Sequence, residues 1–385
     1  MAYILTEKDD DYMAQATESL KLIKGKLSFL VAFDIGGELD KATLSGLFKV
    51  QAGPEYSKPV EVAYGNMTGL IVCEGNNKIC KAQSFAEVFA MGVGIVRVEL
   101  EVIEGMSMQD IIMAIHVNGI FTDGLDLNAY MSRKMTEIRD IVKPALKTKT
   151  YYVPTKKFSM IRLESYTPVL GQVDLKSQYG TEITQFLSGE SSQRRLHGKE
   201  ISDKLSHDIS YYDEDLFLVS YEAAFVKGCD DYFNDLRLYL ELSLALSFLY
   251  HIYDWRMDAE IAEAFKAIKM AQTANLFSHV FQQPTMRLER ALLKVSEIKL
   301  DILDNLEDLM NPLKVTSDWY YQNAYEHILH ILKVKEYESI VTQKIDALED
   351  LYSNTQEISN SRITLITEII VILLIAFEVV AFLPH

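Results

Sequence analysis

Residues 216–253 read LFLVSYEAAFVKGCDDYFNDLRLYLELSLALSFLYHIY, and the fold class is decided inside that stretch. Leu216–Val226 has the length and the apolar, aromatic content of one or two strands. Gly228 follows, and it is the last glycine: all 18 lie between Gly25 and Gly228. Beyond it only Pro284, Pro312 and Pro384 interrupt the chain. Glycine and proline punctuate turns and strands, so the part before Gly228 is mixed α/β and the part after it nearly all helix. Leu236–Tyr253 is apolar on most sides, yet Arg237, Glu241, His251 and Asp254 argue against a lipid-spanning helix there. A helix buried within the protein, running on to about Met270, fits better.

Working back towards the N-terminus, Val93–Ile103 alternates. Val96, Val98, Leu100 and Val102 share one face, and Arg97, Glu99 and Glu101 the other, which predicts a half-buried strand of an antiparallel sheet. Leu27–Phe33, closed by Asp34-Ile35-Gly36-Gly37, reads as a strand and turn. Val60–Tyr64, Gly69–Cys73 and Phe158–Tyr166 also read as strands. Helices are predicted from Asp40 or Lys41 to Val50, over Met108–Val117 behind the cap Ser107, and near Leu127–Val142 before Pro144. Ser188–Lys199 reads as a polar loop. The expected class is α+β: an N-terminal α/β region with antiparallel sheet, then helical hairpins ending in an apolar helix. The expected divisions are 1–148, a second α/β region at 149–228, a helical domain at 229–360 and a C-terminal helix at 361–385.

Within the helical part, Thr285–Leu309 carries a stripe at steps of three and four: Leu288, Leu292, Val295, Ile298, Ile302, Leu306 and Leu309. Ser317 or Asp318 caps a helix holding Trp319, Tyr320, Tyr325, Ile328 and Leu332. Val341, Ile345, Leu348 and Tyr352 form a run with coiled-coil spacing, and antiparallel hairpins are expected.

The tail Ile363–Leu383 reads ITLITEIIVILLIAFEVVAFL. Roughly 20 apolar residues cross a bilayer core, so it has the length of a span. Ile363, Ile369, Ile370, Val371, Leu373, Leu374, Ile375, Phe377, Val379 and Phe382 would meet lipid. Arg362 flanks it on the side that favours an inside main body. Glu368 and Glu378 would reach towards the interfaces or pair with a neighbouring helix. The alternative is a helix buried in an oligomer or in the protein's own core.

The net charge is −17, which repels phosphate backbones and speaks against nucleic acid. The short basic cluster Arg194, Arg195, His197 and Lys199 reads as a solvated loop. Cys73, Cys80 and Cys229 are too few for a disulfide scaffold and imply a reducing compartment. Cys73 and Cys80 flank the turn residues Gly75-Asn76-Asn77 and could face each other across a hairpin. The opening MAYILTEKDDDYMAQ has the pattern of neither a signal nor a transit peptide.

Phosphate loops, dinucleotide fingerprints, H-E-x-x-H and G-x-S-x-G are all missing; Gly92-Val93-Gly94 supplies only two glycines and leads into a strand. His327 and His330 share a predicted helix face beside Glu326, with no third ligand in view. Asp213-Glu214-Asp215 and Asp230-Asp231 read as capping or solvated groups at element starts. Trp255 and Trp319 read as core or interface packing. No cofactor, metal or catalysis is expected.

The Leu-rich helix, Trp319-Tyr320, Asn360-Ser361-Arg362, Ile370–Ile375 and Glu378-Val379-Val380 together resemble the "required for meiotic nuclear division" family, long regarded as a domain of unknown function. The resemblance covers residues 150–385 by order of elements and is specific in about the last fifty. It implies a membrane-anchored protein without established catalysis. The lack of a transit peptide points to a bacterial member, held in the inner membrane by one C-terminal span with its main body cytoplasmic. The function expected is a membrane-anchored scaffold or adaptor with a protein partner or a second copy. The alternatives are a soluble homo-oligomer, cytoplasmic, using the last helix as its interface, and a ligand-binding or enzymatic α/β domain.

Overall fold

The alternation in Val93–Val102 is the seed of the architecture. In the computed structural model it is strand β4, and its antiparallel neighbours are β1 (Lys21–Asp34) and β3 (Asn76–Phe89). The described residues are 19–48, 60–73, 76–102, 104–146, 151–190, 196–273, 293, 295, 296, 298–300, 306–353, 368 and 371. Residues directly opposite in an antiparallel pair share a face. Leu27, Phe29 and Val31 of β1 therefore lie on the face of Leu100, Val98 and Val96. Lys26, Ser28 and Leu30 lie with Glu101, Glu99 and Arg97 on the other.

The remaining strands extend this sheet. They are β2 (Val60–Cys73), β5 (Met106–Ser107), β6 (Ile120–Thr122), β7 (Leu125–Asp126), β8 (Lys156–Thr167), β9 (Leu216–Val219) and β10 (Ala223–Lys227). The order is β7-β6-β2-β3-β4-β1-β8-β10-β9, with β5 pairing β1, and β8 with β10 is the parallel pair. Strands from before and after residue 150 thus belong to one ten-stranded sheet. An α+β fold is what forms.

Helices α1 (Lys41–Phe48), α2 (Met108–His116), α3 (Leu127–Val142), α4 (Gln172–Leu187) and α5 (Gly198–Ser206) follow the first strands. Ser107 caps α2 in a reciprocal box with Asp110, and Asp126 caps α3. Ile111, Ile138, Leu175 and Ile183 close over the apolar sheet face in one buried cluster with Leu27, Val98 and Leu100. Helix α6 (Phe233–Thr273) is followed by α7 (Glu307–Met310), α8 (Pro312–Val315), α9 (Trp319–Ile331, capped by Asp318) and α10 at 334–353. Gly228 makes the turn into α6 at φ +75°, where a Cβ would collide with the Asp215 carboxylate.

The chain divides into two compact units, residues 1–248 with 316–332, and residues 249–315 with 333–385. In the first, Tyr321 donates to Asp235 and Ser247 donates to the Leu332 carbonyl, so α9 runs alongside the start of α6 in the same direction. In the second, His251 packs on Tyr337 and Lys344 pairs with Asp254 and Asp258. Contacts advance together along both helices there too. These neighbours are parallel, and most of the segment between them, 274–305, lies outside the described residues, where the expected antiparallel hairpins would fall. Val341, Ile345 and Leu348 are buried on that interface stripe.

Other expectations are also revised. Val60–Cys73 is one strand with a register shift at Gly65 (φ +89°), not two strands. Cys80 lies opposite Gly69 and Cys73 opposite Asn76, so the two cysteines do not face each other. Residues 172–187 and 198–206 are helical, the second starting inside the expected loop.

The membrane reading is overturned. Among the described residues no helix is long and apolar enough to cross a membrane. Of the tail, Glu368 and Val371 are described, both helical and exposed. Arg362, Ile363, Ile369, Ile370, Leu373, Leu374, Ile375, Phe377, Glu378, Val379 and Phe382 lie outside the described residues, as does most of Thr285–Leu309. The longest described helix, α6, carries Asp235, Arg237, Glu241, Asp254, Arg256 and Asp258, and the tail carries Glu368. Charges of this kind are costly in hydrocarbon. The single C-terminal span and the inner-membrane scaffold built on it are withdrawn.

Candidate functional site

The face of the sheet opposite the apolar cluster carries charge. Glu61 of β2, Glu87 of β3, Arg97 and Glu99 of β4, Lys26 of β1 and Arg162 of β8 all project from it by register. Helix α6 lies against it. Arg237 and Glu241, four residues apart on one helical stripe, point to the same side. The expected water-facing side of β4 is therefore closed off at Arg97, whose side chain is 3% exposed.

Arg97 is the centre of a network. Its Nη2 donates to Glu61 at 3.1 Å and Glu87 at 3.3 Å, its Nη1 to Glu99, and its Nε lies 3.2 Å from Glu241. The guanidinium sits over the Phe85 ring, 4.4 Å from the centroid. Arg237 reaches Glu87 at 3.4 Å and Glu241 at 3.3 Å. Glu87 and Glu241 are 3% and 1% exposed. Burial pushes the Glu87 carboxyl well above its ordinary pKa, the neighbouring Glu241 adds to this, and Arg97 and Arg237 pull it back only in part. Burial alone would lower the pKa of Arg97, but Glu241, Glu87, Glu99 and Glu61 carry it above the ordinary value, so it stays charged.

In front of this network lies a polar cleft of about 250 Å³. Lys26, Arg97, Arg162 and Arg237 line it with Glu61 and Glu99, and Ser28, Gln83, Phe85, Phe233 and Asn234 complete it. Four cations thus face two carboxylates in a chain of net charge −17. Arg97 and Arg237 are committed to buried carboxylates. Arg162 is not fully committed: it donates one Nη2 bond to Asp230 and stacks on Phe233 at 4.3 Å, while its Nε is buried without a hydrogen-bond partner. Lys26 stands 3.7 Å from Glu99, a loose ion pair.

A second, half-buried cation, Lys156, begins β8. It donates to Ser247 at 2.9 Å and lies 3.8 Å from the centre of the Tyr221 ring. Burial drives its pKa down to about 7 against the opposing charge of Glu222.

The residues singled out from sequence are scattered. His327 is half-buried and packs edge-on against His207 at 5.9 Å, while His330 is exposed. Burial lowers the pKa of His327, and His207 and His330 lower it further. Among the described residues no group of three or more metal-ligating side chains forms. His197 caps α5 through Nδ1, Lys199 is exposed, and Arg194 and Arg195 lie outside the described residues. Cys80 and Cys229 are buried free thiols. Asp215 accepts from Tyr232 and from the Cys229 backbone, Asp230 pairs with Arg162, and Trp255 and Trp319 are exposed. The alternation of β4 was the signal that could have led to the cleft. Arg97 on its polar side needed only a partner helix carrying Arg237 and Glu241.

An α/β sheet domain with a charged cleft beneath the first turns of a long helix is thus the class of protein that fold and site define. Residues 24–233 match the family described as "Uncharacterized protein MJ0711, N-terminal domain", and the chain belongs to that family. The match runs from β1 to the first residue of α6, covering most of the cleft lining. It lies at the opposite end from the stretch that carries the meiotic-division resemblance, and it supports a family of unknown function under a different description. No curated protein and no solved structure matches the chain.

Proposed function

We propose that the α/β unit is a binding module for a small anionic ligand, a carboxylate or phosphate compound, held in the cleft between β1, β4, β8 and the start of α6. The observation that carries this reading is the buried, unpartnered Nε of Arg162 on the wall of a cleft lined by four cations. A buried donor left unbonded costs about 1–3 kcal/mol, and an oxyanion is the group that would satisfy it. Lys26 completes the grip. Arg97 and Arg237 hold the floor, with Glu87 and Glu241 beneath them keeping both guanidinium groups oriented. Phe85 and Phe233 give the ligand two aromatic walls. A cavity of this size suits a ligand smaller than a nucleotide. The finer resemblance to the meiotic-division family rests on residues 360–380 and adds nothing to the cleft.

The test is thermal shift and calorimetry on the full chain with inorganic phosphate, pyrophosphate, succinate and citrate, and spermidine as the cationic control. At least one anion should raise the melting temperature and bind. Lys26→Met and Arg162→Gln should each weaken that anion about tenfold, as expected for loss of a charge-assisted contact. The reading fails if no anion binds, or if binding is unchanged in both variants.

A further inference from the structure

We infer that the exposed aromatic surface formed by Tyr211, Tyr212 and Trp319 docks a basic protein segment, one presenting arginine or lysine side chains. These three are 55%, 56% and 74% exposed, and all lie in the first unit. Tyr211 and Tyr212 are not isolated, and Trp319 is the chain neighbour of Tyr320 at the start of α9. Tyr211 packs on Tyr212 at 4.8 Å and on Tyr320 at 4.7 Å, and Tyr232 stands behind them, 5.6 Å from Tyr320. The rear rings are fixed, because Tyr232 donates to Asp215 at 2.6 Å and Tyr320 donates to the Ile209 carbonyl at 2.6 Å. Large aromatic residues presented on such a fixed base lose little freedom on binding, which is the property of interface anchors.

Charge selects the occupant. Asp213, Glu214, Asp231 and Asp318 are exposed around these rings, in sequence contact with Tyr212, Tyr232 and Trp319. Among the described residues no ion pair joins these four carboxylates to a lysine or arginine; Lys227 Nζ donates instead to the Glu214 backbone carbonyl at 2.6 Å. Tyrosine and tryptophan faces attract cations, and an arginine laid on a ring can still hydrogen-bond a carboxylate beside it. A purely apolar partner would strip water from the carboxylates without replacing it. Nucleic acid and anionic lipid surfaces are repelled by the rim and by the net charge of −17. A basic segment satisfies both the rings and the rim. This surface is distinct from the cleft, and its test does not depend on the cleft.

The experiment is fluorescence anisotropy with fluorescein-labelled octa-arginine and the full chain at about 0.15 M salt, with octa-glutamate as control. The arginine peptide should bind and the glutamate peptide should not. Tyr212→Ala and Trp319→Ala leave the net charge unchanged, and each should weaken binding about tenfold. Tyr212→Phe, which keeps the ring, should bind as wild type. The double variant Asp213→Asn, Glu214→Gln should weaken binding with the aromatic rings intact. Absence of binding overturns the proposal. So does wild-type binding by both alanine variants, which would mean that the peptide responds only to the overall negative field.

Discussion

One face of the sheet is closed by α2, α3 and α4 over Leu27, Val98, Leu100 and Ile161, and the other by the first turns of α6 over Glu87 and Arg97. Both are shut off from water at these positions, yet by different physics. Apolar burial has no direction, so its cluster simply fills space around whichever helices arrive. Charged burial is directional: Arg97 needs its carboxylates and Glu241 needs its arginines, each in one geometry. The charged face therefore dictates where the first turns of α6 sit. It also leaves cationic groups, Arg162 and Lys26, that the protein itself does not use up. The difference assigns shape to one face and chemistry to the other.

Breaking the charged face should have the largest effect. Arg97→Met leaves Glu87 and Glu241 buried without their central counter-charge and should cost about 3–5 kcal/mol of stability. Adding Glu87→Gln and Glu241→Gln should recover most of it. The Glu87 carboxyl already has a raised pKa from burial and Glu241, so it takes up a proton early as pH falls. The cost of Arg97→Met should therefore shrink as pH falls towards the ordinary carboxylate range in denaturant titrations. On the apolar face, Leu100→Ala should cost about 2–5 kcal/mol, and that cost should not vary with pH. A pH-dependent loss for Leu100→Ala would erase the contrast.

Lys156 sharpens the comparison with a smaller effect of opposite sign. Burial has lowered its pKa from 10.5 to about 7. Between these values the unfolded chain holds the proton and the folded chain does not, so wild-type stability rises as pH climbs from 7 towards 10.5. Lys156→Met should accordingly raise the melting temperature at pH 7, by about 1–3 kcal/mol in stability, with the advantage fading by about pH 10. Ser247 and the Tyr221 ring offset part of the burial cost, which keeps the gain at the lower end of that range.

What was legible in the sequence follows the range of the interactions involved. The strand β4, the Ser107 and Asp318 caps and the length of α6 depend on neighbours a few residues away, and glycine spacing marked the change from sheet to helix. The cleft depends on partners far apart, Glu87 and Arg237 being 150 positions from each other. Alternation alone makes the polar side of a strand look wet, because nothing local announces that a helix will cover it. Helix α4 escaped notice because Gly180 and a run of polar residues blur its stripe, although Leu175, Ile183 and Leu187 bury its inner side. The apolar tail drew the membrane reading because length and hydropathy are local signals.

The central claim is that Arg162 offers a buried donor to an anion in the cleft. The most direct measurement is the Nε–Hε resonance of Arg162, assigned with Arg162→Lys in arginine-labelled full-length protein and followed by NMR during titration with the tightest-binding anion of the panel. A saturable downfield shift with slowed solvent exchange, lost in Lys26→Met at the same anion concentration, is the predicted result. An Arg162 resonance that stays fixed while the anion binds elsewhere would contradict the account.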